Sequence, residues 1–358
     1  MKQLYPVKVK NDFIFNPSPR DFTVDEIPLY EFTGEGEHLI LHVRKKDMTT
    51  WEMIGAIARY LNIKTKDIGY AGLKDKHAMT MQYISLLAKG NEESLQNFSH
   101  EKIKILSMQR HNNKIRVGHL KGNRFRIRLK KVLGVQKDKL DSVLKWVKAN
   151  GVPNYFGNQR FGNDGDNWKE GKAILDGSLK MRNRKTKTFL INAYQSRLFN
   201  DWLSKRIELS MLLESFSEAD AEKVFKLPEG SLKGTKEQAH FFKLLEGDLM
   251  MHYPFGRVFE LESLEEESKR FSEWDISPSG LLAGKRSSRT EKVAGLIEKN
   301  YDEEISENGA RRYAWVRVTD IKKTYVEEKA HYELEFSLPK GCYATNVLDV
   351  LRGGTVED

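Results

Sequence analysis

The sequence predicts an α+β protein, and three local patterns carry that expectation: an apolar strand entering a capped helix, a strand of strict alternation, and a glycine–proline joint beyond which composition changes. In chain order, His38 to Val43 read as a strand that leads into the helical segment Thr49 to Leu61. Thr49 and Glu52 have the spacing of a capping box, and Ile54, Ile57, Ala58 and Leu61 then recur at helical intervals. From Asn123 to Lys130, Phe125, Ile127 and Leu129 alternate with Arg124, Arg126, Arg128 and Lys130, so one strand face is apolar and the other cationic. Such a face suits an RNA backbone, and it equally suits solvent. A helix from about Lys137 to Ala149 stops at Gly151, and Val152 to Gly157 reads as a turn-rich joint where a domain boundary belongs.

From residue 151 to 309 the chain reads as an inserted domain. It holds a basic run of Lys180, Arg182, Arg184, Lys185 and Lys187, an apolar-striped helix from Phe189, and an acidic run from Glu262 to Glu267. Tyr313 to Ile321 and Tyr332 to Leu338 then return to strand character on either side of the polar run Lys322 to Lys329, which suits completion of the N-terminal sheet. The expected division is therefore residues 1–150 with 310–358, and 151–309 between them.

Composition narrows the partners. A formal net charge of +9 and a pI near 9.2 favour a polyanion over an acidic small molecule. The one cysteine, Cys342, allows neither an internal disulfide nor a cysteine-rich zinc site, and a reducing compartment fits best. Charges and a proline interrupt the N-terminal apolar runs, and nowhere do about 18 uncharged apolar residues follow one another. The expectation is a soluble, cytoplasmic protein without a membrane partner; nothing in the sequence bears on protein partners. His38 and His42 are too far apart on a strand to share a metal, and Asp164 to Asn167 lack the spacing of a calcium loop, so no metal is expected. Neither a Walker-type glycine loop nor a Gly-x-Ser-x-Gly elbow occurs.

The densest chemical signal is Gly69 to His77, where two glycines precede a carboxylate, Asp75, flanked by Lys74 and Lys76. Adjacent ammonium groups favour the ionised acid, as a nucleophile or base beside a phosphodiester chain requires. A polar surface turn has the same composition.

Five stretches resemble the TruD-type transfer-RNA pseudouridine synthases. They are Asp21 to Glu26, Ala71 to Ala78 with Thr80, Lys121 to Phe125, Gly151 to Gly162, and Leu338 to Thr345. The long run Gly-Val-Pro-Asn-Tyr-Phe-Gly-Asn-Gln-Arg-Phe-Gly is the most specific, and the likeness is weakest between about residues 205 and 310. The resemblance implies a catalytic domain on a mixed or antiparallel sheet, with an inserted α/β domain. It also implies a transfer-RNA substrate with uridine 13 as the usual target, a catalytic carboxylate at Asp75, and contacts to the target nucleotide from Phe22, Asn123 and Tyr343. Isomerising uridine to pseudouridine consumes nothing, so no cofactor is expected. The loosened uracil needs flat walls, from Phe22, Phe125 or Tyr343, although Phe125 on its apolar strand face also suits ordinary core. Lys74, Lys76, Arg160 and the run Lys180, Arg182, Arg184, Lys185 and Lys187 are candidate RNA contacts; Arg160 also suits a role closing the domain joint against a carboxylate. Where the family carries a lysine ahead of Asp-Phe, this chain has Asn16, which leaves the cation facing Asp75 open among Arg20, Lys74, Lys76 and residues distant in sequence. A non-catalytic RNA-binding or remodelling protein would use the same basic surfaces.

Overall fold

The computed structural model describes residues 3–162 and 164–353. Its strands are β1 (Phe22–Pro28), β2 (His38–Lys45), β3 (Gly69–Tyr70), β4 (Met79–Leu87), β5 (Ile103–His111), β6 (Leu120–Lys130), β7 (Val152–Pro153), β8 (Leu249–His252), β9 (Val258–Glu260), β10 (Ile276–Leu282), β11 (Ala310–Tyr313), β12 (Trp315–Val316), β13 (Thr319–Val326) and β14 (His331–Pro339). The helices are α1 (Thr50–Leu61), α2 (Asn91–Gln96), α3 (Gly134–Asn150), α4 (Asn167–Leu175), α5 (Arg184–Ser215), α6 (Glu218–Phe225), α7 (Leu264–Ser272), α8 (Lys292–Glu298) and α9 (Ala344–Arg352).

Two units emerge, each with its own interior. One comprises residues 12–138 and 318–341; the other comprises 1–11, 139–317 and 342–358. The sequence reading grouped 1–150 with 310–358; the contacts instead place both termini with the middle of the chain. The physical reason lies at the ends. Asn11 donates to Arg352 and Leu351, which ties the two ends together. The Tyr155 hydroxyl donates to the Leu4 carbonyl, the Asn346 amide donates to the Tyr155 carbonyl, and β12 pairs with β7, so these segments pack on residues of the middle region.

The first unit is built on a sheet of order β13-β14-β6-β1-β4-β2-β5, with β3 on β4. β1 and β4 run parallel and the other neighbours antiparallel, a mixed sheet. Thr49 caps α1 as its spacing predicts, accepting from the Glu52 N–H while the Glu52 carboxylate accepts from the Thr49 N–H. Met53, Ile54 and Ile57 of that helix bury against Leu39, Leu41 and Val43 of β2. The polar stretch Lys322 to Lys329, expected to separate two strands, is instead largely strand. β13 is a sheet edge with most positions solvent-exposed, so it lacks the apolar phase that marks an inner strand.

The other unit centres on α5, which is longer than the sequence suggests and begins at Arg184 rather than Phe189 because Asn183 caps it, accepting from Lys185 and Thr186 N–H groups. Leu190, Ile191, Tyr194 and Leu198 of α5 pack against Leu281, Ala283 and Ile305, beside a sheet of order β11-β10-β8-β9. The Arg206 guanidinium, fully buried, is held bidentately by Asp248 at 2.7 and 2.8 Å. No helix among the described residues is long and apolar enough to cross a membrane.

Candidate active site

The parallel pairing of β1 with β4 aligns Thr23 with Met79, so Phe22 sits at the end of the loop that carries Asp75. That loop, residues 71–78, is tied down almost entirely through its backbone. Thr50 Oγ1 accepts from the Lys74 N–H at 3.0 Å and itself donates to Gln82, whose amide reaches the Gly72 carbonyl at 3.5 Å. The Ala71 carbonyl accepts from Gly118. Of the two glycines, Gly69 is used for packing, since a Cβ there would lie 2.2 Å from the Ile115 carbonyl oxygen, whereas Gly72 faces open space apart from Lys74 Nζ at 3.9 Å.

Two buried lysines complete the cradle. Lys45, at the end of β2, is fully buried and donates from Nζ to the carbonyls of Met48 (2.7 Å), Asp75 (2.9 Å) and Lys74 (3.4 Å). Burial pulls its ammonium down to about 8, against the opposing pull of the Asp75 carboxylate. Lys74 Nζ lies 2.7 Å from Glu26 and donates to Asn123 Oδ1 at 2.8 Å. Burial raises the Glu26 carboxyl despite that cation. Lys74 therefore departs from the expected RNA contact: its side chain is 6 % exposed and engaged inside the protein. Asn123, half-buried, presents its amide from this same chain of contacts.

Asp75 is left half-buried, and among the described residues its carboxylate makes no hydrogen bond or ion pair. Lys45 is the nearby cation that the sequence reading left open; Arg20 is exposed and pairs with no carboxylate among the described residues. Lys76 is exposed beside Asp75. Phe22 is half-buried and stacks parallel on Phe125, ring centres 6.2 Å apart. Phe125, expected as one possible pocket wall, is 5 % exposed and lies against Phe336, so it is the interior layer beneath Phe22.

Lys45 and Glu26 escaped the sequence reading, although a signal was present. Both occupy the inward phase of their strands, after Leu39, Leu41 and Val43 in β2 and after Val24 in β1. A charge in the core phase of a strand marks a buried partner.

Tyr343 belongs to the other unit, where it precedes α9, half-buried and edge-on to Phe156 at 6.4 Å. Gly157 is needed there, because a Cβ would lie 3.1 Å from the Tyr343 ring. Arg160 donates to Ser196 Oγ at 3.0 Å and lies over the Phe156 ring, with no carboxylate partner among the described residues. The rest of that motif is internal: Asn200 bridges both backbone groups of Phe156, and the Tyr155 hydroxyl bonds to the Leu4 carbonyl and Ser204. Lys180, Arg182, Arg184 and Lys185 are exposed and Lys187 half-buried, and none makes an ion pair among the described residues.

A mixed sheet that carries both a loop with an unpaired carboxylate and a stacked aromatic pair defines the class to compare. The family model described as tRNA pseudouridine synthase D (TruD) matches residues 14–182 and 175–350. Relatives named tRNA pseudouridine synthase D include one from Sulfurimonas denitrificans, 54% identical over 94% of each chain. Another, from Helicobacter pylori strain J99, is 45% identical over 96% of this chain and 94% of its own. A solved structure described as a putative tRNA pseudouridine synthase D, from Methanosarcina mazei, shares the fold with a TM-score of 0.64 at 22% identity, over 98% of this chain and 95% of that one. The chain belongs to the tRNA pseudouridine synthase D family.

Proposed function

We propose that this protein isomerises uridine to pseudouridine in transfer RNA, at uridine 13, with Asp75 as the catalytic carboxylate. The observation that supports the reading is the unpaired Asp75 carboxylate on a loop fixed by Lys45, Lys74, Thr50 and Gln82. A group so held keeps its geometry without a side-chain partner that a substrate would have to displace.

The reaction breaks the bond from uracil N1 to C1′ of the ribose. Asp75 either adds to C1′, forming an ester as the uracil leaves, or takes the C2′ proton to give a glycal. The uracil then turns so that its C5 bonds to C1′, which expels the Asp75 carboxylate from the ester or, on the glycal route, is accompanied by return of the proton to C2′. C5 loses its proton and N1 gains one, which leaves an isomer and consumes nothing. Phe22 offers a flat wall for the turning ring and Asn123 a polar edge, each exposed enough to meet a swung-out base. Tyr343, half-buried in the other unit, offers a ring on which RNA can stack. Lys76 and the cations from Lys180 to Lys187 offset the cost of extruding the base through phosphate contacts.

The test is carbodiimide mapping of pseudouridine in transfer RNA treated with the purified protein. The wild type should modify position 13; Asp75→Asn should form no pseudouridine while binding the RNA within a few-fold of wild type. Binding without modification by the wild type would instead mark a non-catalytic RNA-binding protein.

A further inference from the structure

The two ends of the first unit's sheet treat their cations in opposite ways. Near one end, register places Arg128 opposite Glu333 and Arg126 opposite Glu335, at 3.0 and 2.7 Å, and Lys130 pairs with Asp21. Those side chains neutralise one another within the sheet. Near the other end, register places Arg44 of β2 opposite Lys104 of β5, and the next step along brings Lys46 to Lys102, whose carbonyl accepts the Lys46 N–H at 3.1 Å. All four are exposed, and among the described residues none has an ion-pair partner.

Like charges placed directly across a sheet repel and destabilise the pair. Two such pairs in succession on one face need a compensating anion or solvent. Lysines on an edge strand also discourage strand addition by another molecule, and β5 is an edge. That explanation covers Lys102 and Lys104 only; Arg44 and Lys46 belong to the inner strand and its continuation, where no edge needs guarding. A groove of about 510 Å³ follows this edge, lined by all four cations together with Phe98 and His100, and Glu101 is the sole carboxylate among its lining residues. Phe98 and His100 stack parallel at 6.3 Å, the flat surface on which an unpaired base can lie.

The edge is also continuous with the reactive loop. Lys45 sits between Arg44 and Lys46 and turns to the opposite face, where it holds the Asp75 carbonyl. Lys76, next to Asp75, and Lys102 both lie near enough to the Glu52 carboxylate to help lower it, after its bonds from Thr49, so the two regions are neighbours.

We propose that the β2–β5 edge is a second RNA contact, in which Arg44, Lys46, Lys102 and Lys104 grip the sugar-phosphate backbone of the substrate at a distance from the modified nucleotide. This rests on the function proposed above. A backbone grip adds binding energy that does not change in the chemical step, so its loss raises KM and leaves kcat intact.

The experiment compares wild type with a Lys102→Gln/Lys104→Gln variant on an unmodified transfer-RNA transcript. Affinity is measured across a salt series, and turnover at saturating RNA. The expected result is several-fold weaker binding, a log K against log salt slope flatter by about 0.7–0.9 per lost contact, and unchanged kcat. Equal affinity and slope in the variant would overturn the proposal, as would unchanged RNA binding accompanied by self-association, which would make these lysines edge guards. Absence of pseudouridine with the wild type would overturn the proposed function separately, since the affinity comparison does not require turnover.

Discussion

At the scale of single residues, Asp75 owes its position to groups that never touch its carboxylate. Lys45 puts an ammonium behind the loop and spends its donors on backbone oxygens, so it both anchors and charges the site. Lys45→Met would leave the Met48 and Asp75 carbonyls without that donor. Hydrogen bonds from charged donors are worth roughly 1.5–3 kcal/mol each, partly offset by the relieved desolvation, so a net loss of about 2 kcal/mol is expected in urea unfolding. Turnover should fall at least tenfold with RNA affinity little changed; a variant with wild-type kcat would show that the loop holds without Lys45. Lys74 illustrates how adjacency misleads: it neighbours Asp75 in sequence, yet its ammonium is committed to Glu26 and Asn123.

Among the elements, α5 carries an electrostatic contradiction. Its first turn contains cations and no acid, at the end where the helix dipole is already positive. By contrast α7 opens with Glu265, Glu266 and Glu267, the favourable arrangement. If α5 begins in this way to meet phosphate, then Arg184→Glu with Lys185→Glu should separate stability from binding. The pair should raise unfolding stability by about 1 kcal/mol through the dipole and yet weaken transfer-RNA binding with a flatter salt dependence. Titrations at several salt concentrations beside denaturant melts would decide it, and undiminished affinity would count against the contact. Strand β6 teaches the complementary lesson. Its cationic face was legible from alternation, but the carboxylates that meet it come from elsewhere, Glu333 and Glu335 from β14 some 200 positions later and Asp21 from just before β1, and alternation within one strand says nothing of its neighbours.

For the whole molecule, the α+β class, α1 with its capping box and the strand at Asn123 could be read directly, because each is fixed by residues close in sequence. The grouping of the units could not, since it depends on contacts between the termini and the middle of the chain. A second long-range property concerns acid. In the unit that contains α5, His240 lies 4.0 Å from the Phe271 ring; its Nδ1 accepts from the Phe242 N–H, which leaves Nε2 to donate to the Asn150 carbonyl. Burial pulls this imidazole down to about 4 and pushes the Asp349 carboxyl up to about 6. Below the ordinary histidine value the unfolded chain takes up a proton that folded His240 refuses, so stability falls as pH drops from about 6.5 to 4. Asp349 acts oppositely: folded, it keeps a proton that the unfolded chain has lost, so its contribution is present below about 3.8 and disappears as pH rises through 6. Each is worth about 3 kcal/mol at its limit, and across pH 4–6 they offset one another. Denaturant unfolding at pH 4.5 and 6.5 should therefore show His240→Gln gaining stability on acidification relative to wild type, and Asp349→Asn losing it; parallel behaviour of the two variants would refute the pairing. Finally, β6 stays without its β14 neighbour until residues 139–317 have been synthesised, which at about 5–20 residues per second takes on the order of ten seconds or longer on the ribosome. Throughout that interval Arg126 lacks its Glu335 partner, and a bare cation on an open strand flank is the kind of feature that discourages docking by a stray strand.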